Sequence, residues 1–326
     1  MNFGIPLAVA ICVIVPVGAQ EITGVGNFSH IVENLDRSVA FYRDAIGLES
    51  TPNVRPFDPN PAIKKMGNTI GAESRLAVLR VPGFGMGLEL IEYKHIDRKP
   101  AHPRFQDPGT GNLSLRVRDL NAVSSRLRKA GAHFLTPGGV PAEIPSGPHV
   151  LFAQDPDGFV VELTQPKDVP ASAPAGNVIG GGVEITVEDA DQAAAFYKSV
   201  FGFETSLDSS FNANQSMTAT AGVPGSQFRH SRVVIPGANL NLNFIEFKNI
   251  DRHTLHTRVQ DPGTSLVQLR VRGLDALLKK VKAGGAAVVS VGEEPVQVGT
   301  FGRIAIARDP NNLFLELIEP GAGTSR

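Results

Sequence analysis

The chain has 326 residues, 42% of them hydrophobic, with 31 Lys and Arg against 32 Asp and Glu. That length supplies enough core for two domains, and near-zero net charge without a basic run excludes a nucleic-acid surface. The one cysteine, Cys12, lies near the amino terminus, so a mature chain starting at Gln20 has no disulfide, no thiolate nucleophile and no Cys-bound zinc.

Residues 5–17 are apolar, broken only by prolines, and Val17-Gly18-Ala19 precedes the polar Gln20-Glu21. Small residues at −3 and −1 before Gln20 predict a signal peptide over 1–19, cleaved after Ala19, and a periplasmic or secreted product. Thirteen apolar residues are short for a membrane span of ~20, so no membrane attachment is expected once the signal is removed.

A strand is expected over 24–33, then an amphipathic helix over 35–46 with Gly47 as its C-cap. A short strand at 48–51 and a Pro- and Asn-rich stretch with a short helix near 62–66 lead to strands at 74–81 and 87–94. The order then restarts, with a strand at 112–117, a helix at 120–130 and a short strand at 133–136. A hairpin of 150–154 and 159–163, turned by Asp155-Pro156-Asp157-Gly158, closes the unit.

The whole pattern then repeats. Residues 89–110 (ELIEYKHIDRKPAHPRFQDPGT) return at 243–264 (NFIEFKNIDRHTLHTRVQDPGT), identical at 13 of 22 positions with an offset of 154. VAFYRDAIGLE answers AAFYKSVFGFE, RLAVLRVPG answers RHSRVVIPG, and DPDGFVVEL answers DPNNLFLEL. The expected organisation is a first domain at 20–165, a Pro/Ala/Gly-rich linker at 166–178, a second domain at 179–320 and a tail at 321–326. The fold class is α+β, with two βαβββ modules in each domain.

DRSVAFYRDAIGLE, LELIEY, LRVRDLNAVSSRLRKAG and DPDGFVVEL, each with a counterpart in the second copy, make the chain resemble the vicinal oxygen chelate superfamily. This superfamily includes glyoxalase I, bleomycin-resistance proteins and extradiol dioxygenases. The resemblance implies paired modules curled into an incomplete barrel around a cleft, with helices outside. It also implies metal ligands on the first, fourth, fifth and eighth strands. Carried over by position, these are Asn27, Glu89, Asn112 and Glu162 in the first copy, and Gly182, Asn243, Leu266 and Glu316 in the second. Gly182 and Leu266 cannot ligate, and the family's histidines are missing from both copies. A 2-His-1-carboxylate iron site therefore cannot be assembled from these positions. The first copy's all-oxygen set suits Mg²⁺, Mn²⁺ or Ca²⁺ better than zinc or iron.

Two functions follow from the resemblance. One is a divalent-metal-dependent lyase, isomerase or dioxygenase acting on a small oxygen-rich substrate, with Glu162 and Glu89 ligating or moving a proton. The other is a metal-free protein that binds or sequesters a small molecule, as a monomer or homodimer. Arg116, Arg75, His102 and Arg104 are candidate substrate contacts. Ser29, Ser114, Glu184, Gln268 and Arg270 are further inward polar residues. The repeated set Asp97, Arg98, His102, Arg104, Gln106 and Asp107 is better explained as pinning a long connection. By strand alternation His30 faces away from Asn27 and packs internally, while His95, His133, His149, His230 and His253 are assigned to solvent.

Overall fold

The computed structural model describes residues 21–50, 54–144, 147–235 and 240–321. The signal segment expected at 1–19 lies outside them, as does nearly all of the tail. Among the described residues no helix is long and apolar enough to cross a membrane.

The first module comprises β1 (Ile22–Ile31), α1 (Leu35–Ala40), β2 (Glu49–Ser50), α2 (Pro61–Met66), β3 (Glu73–Arg80) and β4 (Gly87–Lys94). The second comprises β5 (Gly111–Val117), α3 (Leu120–Lys129), β6 (His133–Phe134), β7 (Ala142–Glu143), β8 (His149–Gln154) and β9 (Val160–Gln165). The third runs through β10 (Val178–Thr186), α4 (Ala190–Phe201), β11 (Glu204–Leu207), α5 (Gln215–Thr220), β12 (Gln227–Ile235) and β13 (Leu240–Lys248). The fourth runs through β14 (Ser265–Val271), α6 (Leu274–Ala283), β15 (Ala287–Val288), β16 (Val296–Val298), β17 (Gly302–Arg308) and β18 (Phe314–Pro320). The α+β class and the four modules stand as expected.

Their partnering does not follow the repeat. One open sheet has the order β15-β17-β18-β14-β1-β4-β3-β2, and the other the order β11-β12-β13-β10-β5-β9-β8-β6. The first module therefore shares a sheet with the fourth, and the second with the third. Antiparallel pairing joins them: His30 opposes Ser265 across β1 and β14, and Glu184 opposes Asn112 across β10 and β5. The expectation that 20–165 and 179–320 each enclose their own cleft is corrected here. Homologous modules present similar edge strands, so short-range patterning does not specify which two of them pair.

Those connections hold the repeated polar set, used reciprocally. Arg104 pairs with Asp107 at 2.7 Å and crosses to Asp251 at 3.0 Å; Arg258 pairs with Asp261 at 2.7 Å and crosses to Asp97 at 3.1 Å. Asp261 accepts the backbone N–H of Lys99, and Asp107 that of His253. The two copies of this stretch thus staple each other, and packing alone would not demand their identity.

The other repeated motif ties helix to hairpin. The helix expected over 35–46 forms as α1 followed by a π-helical stretch, Phe41–Ile46, ended by left-handed Gly47. Buried Tyr42 donates to Asp155 Oδ2 at 3.0 Å, and Asp155 Oδ1 takes the N–H groups of Asp157 and Phe159. Tyr197 and Asp309 repeat the arrangement at 3.1 Å. His30 is fully buried, stacked on Phe159 at 3.5 Å with its edge toward Phe28.

Candidate functional site

On β1 it is Ser29, not Asn27, that comes level with Glu89 on β4. Gln268 and Glu316 are level with each other on β14 and β18. These four side chains meet in the first sheet. Ser29 Oγ donates to Glu89 Oε2 at 2.8 Å, and Gln268 Nε2 donates to Glu89 Oε2 at 2.7 Å and to Glu316 Oε2 at 3.1 Å. The orientation of the Gln268 amide is set by its other end, since Oε1 accepts the Asn27 backbone N–H at 2.7 Å. Gly26 permits this closeness: a Cβ there would sit 2.5 Å from Gln268 Oε1. Burial, and then the neighbouring Glu89, push Glu316 up to about 8; burial also raises Glu89. A cavity of about 310 Å³ adjoins the cluster, lined by Asn27, Gly87, Gln268, Arg270 and Phe301 among others. Neither Glu89 nor Glu316 lines it; Gln268 does.

The second sheet carries the equivalent positions with different residues. Ser114 and Glu162 are level on β5 and β9, and Glu184 and Asn243 on β10 and β13. Burial, then repulsion from Glu184, push Glu162 up to about 7, while hydrogen bonds from Ser114 and Thr164 pull the other way. His230 on β12 places Nε2 3.5 Å from Glu184 and Nδ1 3.6 Å from Asp208. Burial opposes its charged form, but these two carboxylates outweigh burial and raise it above the usual histidine value.

Here the carboxylates do face open space. Glu162, Glu184 and His230 line an inner chamber of about 70 Å³ together with Phe105, Phe152 and Met217. Glu184 and His230 also line an outer, polar cavity of about 400 Å³ with Ser206, Asp208, Arg232 and Asn243. A groove of about 790 Å³ between α1 and α3 is larger, but it lies on the helix side, lined by residues such as Arg37 and Arg126.

The predicted ligand set Asn27, Glu89, Asn112 and Glu162 does not converge, since the first two lie in one sheet and the last two in the other. Asn112 instead donates to Thr186 Oγ1. In the first sheet Gln268 presents N–H groups, not a lone pair, to both carboxylates. In the second, His230 faces Glu184. Among the described residues no group of three or more His, Cys, Asp or Glu is arranged to hold a metal ion. The donor sets present in the two sheets do not fit the family's metal.

Of the predicted substrate contacts, Arg75 pairs with Glu92 and Asp36 on the helix side, its guanidinium 4.9 Å from the Phe57 ring. Glu92 is three residues from Glu89 and so on the opposite face of β4. Arg104 is used in the staple, and His102 is exposed. Arg116 alone shares a strand face with Ser114; a Cβ on its partner Gly180 would come 2.5 Å from its Nη2. His230, assigned to solvent from sequence, turns out to line the cleft. Its sequence signal was that it stands where the first copy has the apolar Leu76.

The sequence profile of the Glyoxalase/Bleomycin resistance protein/Dioxygenase superfamily matches residues 24–163 and again 181–317. No curated protein matches the chain in sequence. Among solved structures, glyoxalase I from Zea mays is similar, with a TM-score of 0.59, 16% identity and 92% of each chain covered. A Bacillus subtilis protein described as a candidate dioxygenase gives a TM-score of 0.55 at 17% identity, covering 93% of this chain and 87% of its own. At such identities the likeness establishes the fold alone.

Proposed function

Because this chain belongs to the Glyoxalase/Bleomycin resistance protein/Dioxygenase superfamily, we propose that it is an exported enzyme of the lyase or isomerase type. Its small-molecule substrate binds in the cleft of the second sheet, and Glu162 moves the proton. The observation that carries this reading is the difference between the two carboxylate pairs. Glu162 and Glu184 line a chamber, whereas Glu89 and Glu316 stand behind Gln268. A carboxyl group held near neutrality can take and return a proton at working pH. The apolar segment before Gln20 supports export.

A thermal-shift screen of small hydroxylated and carbonyl compounds tests the site. Stabilisation by a hit should disappear in Glu162→Gln and survive in Glu89→Gln. The reverse pattern would move the site to the first sheet. Binding that depends on Glu162 without turnover of any hit would leave a sequestering protein in place of an enzyme. Metal analysis of protein purified without chelator completes the test, because a stoichiometric divalent ion lost in Glu162→Gln would return the family's metal chemistry to this cleft.

A further inference from the structure

We propose that the groove between the first helix and α3 is a second ligand site, on the helix side of the molecule, and that it takes a small organic anion, a carboxylate carried on an apolar body. The site is independent of the second-sheet cleft.

The groove of about 790 Å³ falls within the roughly 300–1,000 Å³ of small-molecule sites. One wall is α1 with its π-helical continuation, from a module of the first sheet; the other is the C-terminal end of α3, from a module of the second. Phe41, Ala45 and Ala130 give it an apolar lining, and its ionisable groups are Arg37, Arg126, Lys129 and His133 against Asp44 and Asp155. Both carboxylates are taken. Arg43 holds Asp44 through both oxygens at 2.7 Å, and Asp155 accepts the Tyr42 hydroxyl and the N–H groups of Asp157 and Phe159. Arg37 is matched by Glu33 at 3.4 Å and Asp157 at 3.2 Å.

The other two permanent cations meet no carboxylate among the described residues. Arg126 donates to the carbonyls of Ala45 and Ile46 at 2.9 and 3.3 Å, and Lys129 has no partner there. Gln154 Nε2 donates to the Gly158 carbonyl at 3.1 Å, so its Oε1 faces His133 Nδ1 at 2.6 Å and fixes a proton on that nitrogen. His133 Nε2 is left to meet an occupant. Two unmatched positive charges beside an apolar lining favour an anion with an apolar body.

The second copy shows that this groove is not a by-product of the module. Val200 stands for Ala45 and Gly284 for Ala130, and a Cβ on Gly284 would lie 2.5 Å from Val200 Cγ2. The helices there close on each other. Ala283 and Ala287 stand for Lys129 and His133, and Lys280, in the place of Arg126, is paired with Glu21 at 3.0 Å. The helix differs as well: α4 is α-helical to Phe201, whereas the first copy widens into a π-helix over Phe41–Ile46, along the groove. Such turns are rare and concentrate at functional sites. Space, charge and helix geometry change together at one place. Because the walls belong to different sheets, an occupant ties the sheets together and stabilises the native chain by mass action.

The probe is 2-naphthoate, titrated calorimetrically into the full chain at neutral pH. Beside it run 2-naphthalenemethanol, the same rings without the charge, and acetate, the charge without the rings. Naphthoate should bind once per chain and raise the melting temperature, and the alcohol and acetate should each bind at least ~10-fold more weakly. Lys129→Glu reverses the unpartnered charge and Ala130→Leu fills the groove. Both positions are exposed, circular dichroism checks that each variant is folded, and each should weaken naphthoate about tenfold or more. Lys279→Glu, the same charge change at an exposed position on α6, and Glu162→Gln in the second-sheet cleft should leave naphthoate binding unchanged. Undiminished binding to the folded groove variants, or binding lost in Glu162→Gln, overturns the site. Equal weakening in Lys279→Glu reduces the effect to net charge and overturns it too. An alcohol that binds as tightly as naphthoate overturns the ligand class, and no naphthoate binding at all overturns the proposal.

Discussion

His30 has neither ring nitrogen hydrogen-bonded among the described residues, and its place between Phe28 and Phe159 pushes it down to about 3 by burial. An unfolded histidine titrates near 6.5, so between the two values the unfolded chain binds the extra proton and stability falls as pH falls. The loss begins below about pH 6.5 and at pH 4.5 reaches about 2.7 kcal/mol relative to neutral pH. Urea unfolding of the native protein and His30→Leu at pH 7.5 and 4.5 should show a smaller acid loss in the variant. Equal losses would mean the ring is already solvated. Glu316 has the opposite sign. Its folded value of about 8 lies above the unfolded carboxyl range, so its contribution is fully present below about pH 4.5 and is lost as pH rises toward 8. Glu316→Gln keeps an acceptor for Gln268 and should gain stability over the native protein between pH 5 and 8, on the order of a few kcal/mol. No gain would mean Glu316 is already ionised and compensated.

At the scale of elements, one arginine makes two pairs of unequal value. Arg104 meets Asp251 where both are exposed, a class of pair worth about 0–1 kcal/mol. Its other partner, Asp107, is buried and also accepts the backbone N–H of His253. Losing that carboxylate leaves buried donors unpaired, at about 3 kcal/mol or more. Asp251→Asn should therefore shift the denaturation midpoint little and Asp107→Ala strongly, while comparable shifts would show that the connection is held by something else. The helix-to-hairpin tie can be tested in the same way. Tyr42→Phe removes the buried hydrogen bond to Asp155 without changing volume and should cost about 1–3 kcal/mol. The sequence displayed both devices as repeated polar identities, but gave no way to see that the first operates between copies and the second within one.

For the whole molecule, the exchange of modules between sheets means that neither half of the chain holds a complete sheet. Residues 20–165 alone would expose the edges of β1 and β5, and residues 179–320 those of β10 and β14. The two halves expressed together should copurify as a folded complex, and either alone should aggregate or self-associate through the same edges. A monomeric, cooperatively unfolding 20–165 fragment would refute the crossed arrangement. The sequence by itself determined that a βαβββ unit of five elements is used four times, where its helices and hairpins lie, and that neither copy keeps the family's histidines. Those features follow from local periodicity, capping and turn chemistry, which short windows carry. Only the tertiary structure decided which modules share a sheet, that Ser29 rather than Asn27 is level with Glu89, and that His230 lines the cleft instead of facing solvent. Each of those depends on strand register between residues as many as 241 positions apart, as in the Asn27–Gln268 contact, and a slip of one residue reverses every side chain on the strand.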